Sequence, residues 1–85
     1  MQRYNRIKEK LSVIEPSYLE VIDETILHQN HWGNTNVAES HFRIIIASKH
    51  LHGYNLFTQH KMINDILREE FNKGLHALTI KIKES

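Results

Sequence analysis

The chain has 85 residues, 40% of them hydrophobic and 25% charged, with a formal charge of +1. That supports one packed domain, leaves no room for a second domain or a deep enclosed active site, and gives no reason by charge alone to expect nucleic acid. Cysteine is absent, which excludes disulfides, thiol nucleophiles and any thiolate metal or iron–sulfur site built by the chain alone, and fits a reducing compartment, expected to be the cytoplasm.

Met1 to Arg6 runs straight into a charged helical pattern with no apolar signal core. No stretch reaches the ~18 apolar residues of a membrane span, so no membrane partner is expected. Tyr4, Ile7, Leu11 and Ile14 recur at helical spacing among Arg3, Arg6, Lys8, Glu9 and Lys10, which reads as an amphipathic first helix. Glu15-Pro16 ends it, because the residue before proline avoids the α region. Tyr18 to Glu24 reads as a short strand. Thr25 to Glu39 has no period and carries His28, His31 and Trp32; a loop this long in so small a domain is usually functional or disordered. His41 to Ser48 alternates, with Phe42, Ile44 and Ile46 on one face and His41, Arg43 and Ile45 on the other. Lys49 to Phe57 is irregular and contains Gly53. From Thr58 or Gln59 the period is helical again, with Ile63, Ile66, Leu67, Glu70 and Phe71 on one side and Gly74 as the stop. Leu75 to Lys83 alternates, placing Leu78, Ile80 and Ile82 inward and His76 with them.

The order helix, strand, strand, helix, strand predicts an α/β (α+β) domain in two layers. A three-stranded sheet carries both helices on one face, and its last strand returns by a right-handed parallel crossover.

Seven histidines are the compositional oddity, and histidine serves metal ligation, proton transfer and pH sensing. His60 is expected in the first turn of the second helix. The positive end of the helix dipole there favours the neutral imidazole that a metal requires; the bland alternative is a core-edge histidine bonded to a carbonyl. His28 and His31 are spaced to present two imidazoles to one ion, or simply to occupy a polar loop. His41 reads as structural, His76 as a core histidine, His50 and His52 as surface. Ser40 and His41, as strand neighbours, are expected to point to opposite faces, so they form no nucleophile–base pair. No other catalytic constellation stands out, and an enzyme is not expected. Trp32 and Tyr54 are aromatic residues in the two loops, suited to an interface or to loop packing. Arg3, Arg6, Lys8 and Lys81 are the candidates for a nucleic-acid surface. The segment Gly53-Tyr54-Asn55-Leu56, however, lacks the second glycine of the Gly-x-x-Gly clamp.

Three stretches carry a resemblance: Glu39-Ser40-His41-Phe42, then Leu51 to Lys61 with Gly53 seven residues before His60, then Leu75-His76-Ala77-Leu78. With Leu19-Glu20-Val21 and Asp23-Glu24, the chain resembles the BolA family over nearly its whole length. The resemblance implies a class II K-homology-like fold and a non-enzymatic role in iron–sulfur trafficking or iron homeostasis. The implied partner is a monothiol glutaredoxin with glutathione, and the two proteins share a two-iron two-sulfur (2Fe-2S) cluster. It further implies that His60 is a cluster ligand and that the loop supplies the second, His28 counting from the first strand or His31 counting back from Glu39. Gly53, Tyr54, Gln59, Lys61 and Trp32 become the expected partner contacts. The isolated protein, a monomer or weak dimer, is expected to hold no cofactor. Some members are described as DNA-binding transcriptional regulators, which is the alternative; a mononuclear metal site of His28, His31 and His60 is a third. Gln59-His60-Lys61 stands where the family commonly has Arg–His–Arg, so one positive charge is lost.

Overall fold

The spacing of Tyr4, Ile7 and Leu11 is realised as α1, Gln2–Leu11, in a computed structural model that describes residues 2–25 and 40–84. Ile7 and Leu11 are fully buried. Ile14 does not extend the α-helix: Ser12–Ile14 tighten into a 3-10 turn and Glu15 follows in the left-handed region at φ +48°. Pro16 denies Glu15 the right-handed α conformation, so the last turn closes by shorter-range bonds.

Strands β1, Tyr18–Asp23, and β2, His41–Ala47, pair antiparallel from Tyr18 opposite Ala47 to Asp23 opposite Phe42. A 3-10 turn at Lys49–Leu51, then α2, Leu56–Ile66, and α3, Arg68–Asn72, carry the chain to β3, Ala77–Ile82. Strand β3 lies parallel to β2, with Ala77 beside His41 and Ile82 beside Ile46, giving the sheet order β1-β2-β3. This is the expected mixed sheet. Phe42, Ile44 and Ile46 face the core with Ile7, Leu11, Val21, Ile63 and Leu67. No helix of the described residues is long and apolar enough to cross a membrane.

The second helical stretch departs from expectation at its start and in its middle. It begins at Leu56 because the Asn55 side chain accepts the Thr58 N–H at 2.8 Å, an N-cap that satisfies one of the first-turn donors. It breaks at Leu67, where the backbone (φ −98°, ψ 13°) divides α2 from α3. Gly74, at φ +120°, is the expected stop.

A buried ion network joins the two ends of the chain. Glu70 has no exposed surface. Arg6 donates to it from Nε at 2.8 Å and from Nη2 at 2.9 Å, and Arg3 Nε donates at 2.9 Å. Arg3 Nη2 also donates to the Lys73 carbonyl at 2.8 Å, beside the end of α3. Arg6, and then Arg3, draw the Glu70 carboxyl down from its ordinary 4.5 to about 2, against the opposing effect of burial.

Candidate functional site

At the end of the sheet where β1 finishes and β2 and β3 begin, a chain of hydrogen bonds fixes two histidines. Asp23 Oδ1 accepts from the Thr25 N–H at 2.9 Å and from its hydroxyl at 2.5 Å. Thr25 Oγ1 in turn accepts the N–H of Ser40 at 2.9 Å and of His41 at 3.2 Å, and Glu24 N donates to the His41 carbonyl at 2.7 Å. Thr25 and Ser40, the two residues that flank positions 26–39, are thereby buttoned together, and both are buried. The Ser40 carbonyl accepts from His76 N at 2.8 Å and from Ala77 N at 3.2 Å, so the start of β3 is tied to the same point.

Two corrections follow. Ser40 and His41 do not point apart: Ser40 Oγ and His41 Nδ1 share a hydrogen bond of 2.8 Å. Ser40 precedes the first residue of β2, so strand alternation does not govern it. His76 is not in the core but exposed, because β3 starts at Ala77 and the inward alternation of Leu78, Ile80 and Ile82 does not reach back to it. Its ring meets the half-buried His41 ring edge-on, with centroids 6.2 Å apart and an interplanar angle of 63°.

His60 stands elsewhere. With α2 beginning at Leu56, His60 lies in its second turn, beyond the first turn in which the helix dipole acts. Strand β2 runs from the His41 end to Ala47, and the Lys49–Leu51 turn and α2 follow from there. Gln59 confirms the position by donating from Nε2 to the Leu51 carbonyl at 2.7 Å. Helix α2 must then return along the sheet for β3 to begin beside His41; from His60 to Ile66 alone the rise is about 9 Å. His60, half-buried, is therefore near the opposite end of the sheet from His41 and His76. His28, His31 and Trp32 lie outside the described residues.

The expected partner contacts other than Trp32 share the His60 end. Gly53, at φ +89°, sets a tight turn there, with open space where a Cβ would stand. Tyr54, Leu56 and Phe57 are exposed (51%, 61% and 77%) beside an open cleft of about 430 Å³ lined by Leu51, His52, Leu56, Gln59 and Ile82. Gln59 is committed to the loop backbone, and Lys61 pairs with Asp65 at 3.4 Å on the surface. Leu56 and Phe57 read as the end of the irregular segment Lys49 to Phe57, since an exposed face is visible only once the core is known.

The basic set is not one surface. Arg3 is buried and, with Arg6, is held by Glu70. Lys8 lies over the Tyr4 ring, 5.1 Å from its centroid, on α1. Lys81 is exposed and alternates with the core-facing Ile80 and Ile82, so it faces away from the helices. The network that holds Arg3 and Arg6 required a buried acid four-fifths of the chain away, which no local pattern reveals.

Among the described residues no three of His, Cys, Asp and Glu gather to hold a metal, and the sequence has no cysteine.

A family profile described as BolA-like protein matches residues 8–85. The chain is 39% identical over 84 residues to "Protein BOLA1, chloroplastic" of Arabidopsis thaliana, covering 95% of this chain and 52% of that protein, about half its length. It is 39% identical over 83 residues to the "DNA-binding transcriptional regulator BolA" of Escherichia coli, covering 93% of this chain and 75% of that one. Among solved structures, the BolA domain of SufE1 from Arabidopsis thaliana superposes with a TM-score of 0.87 at 38% identity, covering 99% of this chain and 93% of that chain. BolA1 from the same plant gives 0.85 at 40% identity, covering 96% and 90%. The names of these relatives describe a regulator and BolA proteins, with no catalytic activity among them.

Proposed function

The chain belongs to the BolA-like family, and on that premise we propose that it is a non-enzymatic partner of a monothiol glutaredoxin, lending imidazole ligands to a 2Fe-2S cluster held jointly with glutathione. The observation that carries this reading is an exposed imidazole, His76, at the sheet end where the segment bearing His28 and His31 leaves and rejoins the sheet. His76 takes the place that sequence reasoning gave to His60, which stands near the other end. His28 or His31 supplies the second imidazole.

Iron–sulfur clusters are held mainly by thiolates, with histidine replacing cysteine on one iron in Rieske-type centres. A cysteine-free chain offering imidazoles must share the cluster with a thiolate-bearing protein, so the cluster is cargo of the complex and the isolated chain is not expected to hold it. Imidazole ligation raises the reduction potential relative to four thiolates, which suits transfer or sensing in the cytoplasm. A self-contained mononuclear site of His28, His31 and His60 is disfavoured by the position of His60.

The test is a titration of cluster-loaded glutaredoxin with this protein, followed by visible absorption and circular dichroism. The parent and His60→Ala are expected to change both spectra, and His76→Ala to leave them those of the glutaredoxin alone. Loss of the change in His60→Ala with its retention in His76→Ala would reverse the assignment.

The name of the Escherichia coli relative favours a second reading, DNA binding. It predicts duplex affinity that falls steeply with salt. No binding at low salt rejects it.

A further inference from the structure

We infer that His41 is a positioning residue that fixes the orientation in which His76 presents its imidazole; this rests on the reading of His76 as a ligand. The geometry is a clasp on one residue. The Ser40 carbonyl holds the His76 backbone at 2.8 Å, and the Ser40 hydroxyl holds the His41 ring through Nδ1 at 2.8 Å. The His41 ring then stands edge-on to the His76 ring, with centroids 6.2 Å apart. Ser40 is itself fixed, 2% exposed and bonded through its N–H to Thr25. One buried serine thus sets both the backbone from which His76 projects and the ring against which it rests.

An exposed histidine at a strand entrance ordinarily samples several rotamers. Ligation to a cluster that another protein carries requires one of them, and ordering it in advance lowers the cost of association. Ligating histidines are commonly oriented through a hydrogen bond to the second ring nitrogen. Here the orienting group is a neighbouring ring, which constrains rotation about the side-chain torsions and leaves the His76 nitrogens to the metal. His41 acts through shape, so a flat ring of similar size should replace it.

The experiment uses the full chain in two states. In the free protein, the three-bond couplings and side-chain relaxation of His76 are measured by NMR in the parent, His41→Ala, His41→Phe and Ser40→Ala. A single His76 rotamer is expected in the parent and in His41→Phe, with averaging in His41→Ala and partial averaging in Ser40→Ala. In the mixed complex, His41→Ala should still give the altered circular dichroism but release the cluster roughly 10-fold faster, the scale of an outer-shell loss. His41→Phe should restore the parent rate.

An unaveraged His76 in folded His41→Ala, or a release rate unchanged by it, overturns the positioning role. Complete loss of the altered spectrum in both His41→Ala and His41→Phe overturns it too, by making His41 a ligand. An altered spectrum that survives in His76→Ala sinks the underlying ligand reading instead, while the rotamer measurement on the free protein still decides whether His41 orders His76.

Discussion

Glu70 shows what a single residue contributes. It lies on the inner side of the second helical pattern, and periodicity placed it correctly, but only the fold supplies Arg3 and Arg6 from the other end of the chain. Its carboxyl is held at about 2, below the ordinary 4.5. A depressed folded-state value gives stability that is complete above the unfolded value and disappears as pH falls toward the folded one. The pH-linked part is about 3 kcal/mol. Urea midpoints measured from pH 7 to pH 2.5 should therefore fall through this window in the parent. Glu70→Gln should lose about 3–5 kcal/mol at pH 7, because it removes the buried carboxylate to which both guanidinium groups donate, and should fall less steeply in acid. A variant with the parent's acid profile would remove Glu70 from the account. The histidines teach the opposite lesson. His60 drew notice through its spacing from Gly53, whereas His76 read as core because alternation was carried one residue too far back from Ala77.

At the scale of elements, strand alternation was the most legible feature. Phe42, Ile44 and Ile46 alternate in sequence and are all buried, so the face of β2 followed from period alone. Helix boundaries were less so. The N-terminus of α2 depends on one side-chain bond, Asn55 to the Thr58 N–H, and Asn55 stood unnoticed in an irregular stretch. Asn55→Ala should cost about 1 kcal/mol, read as a lowered thermal midpoint with an unchanged His76 environment in NMR spectra. Gly74→Ala should cost about 1–3 kcal/mol, because a Cβ at φ +120° is strained. A Gly74→Ala protein as stable as the parent would contradict the left-handed backbone at this stop. The segment 26–39 could not be assigned by any period, since it has none.

For the molecule as a whole, the sheet has two structurally distinct ends. One holds Thr25, Ser40, His41 and His76; the other holds the Gly53 turn, the exposed Tyr54 and Phe57, and His60. Sequence reasoning joined His60 to the loop histidines because linear order does not tell which end of a strand a loop serves; the antiparallel and parallel registers do. Tyr54→Ser should change stability by less than about 0.5 kcal/mol, as exposed substitutions generally do, and should leave the cluster spectrum of the mixed complex unaltered.

The most direct test labels only the histidines of this chain with nitrogen-15 and records pulsed electron paramagnetic resonance of the reduced cluster in its complex with glutaredoxin. Nitrogen-15 couplings from this chain are predicted in the parent and in His60→Ala, and are predicted to be lost in His76→Ala. Absence of any such coupling, or its loss in His60→Ala and persistence in His76→Ala, would contradict the claim that the exposed imidazole of His76 reaches the iron.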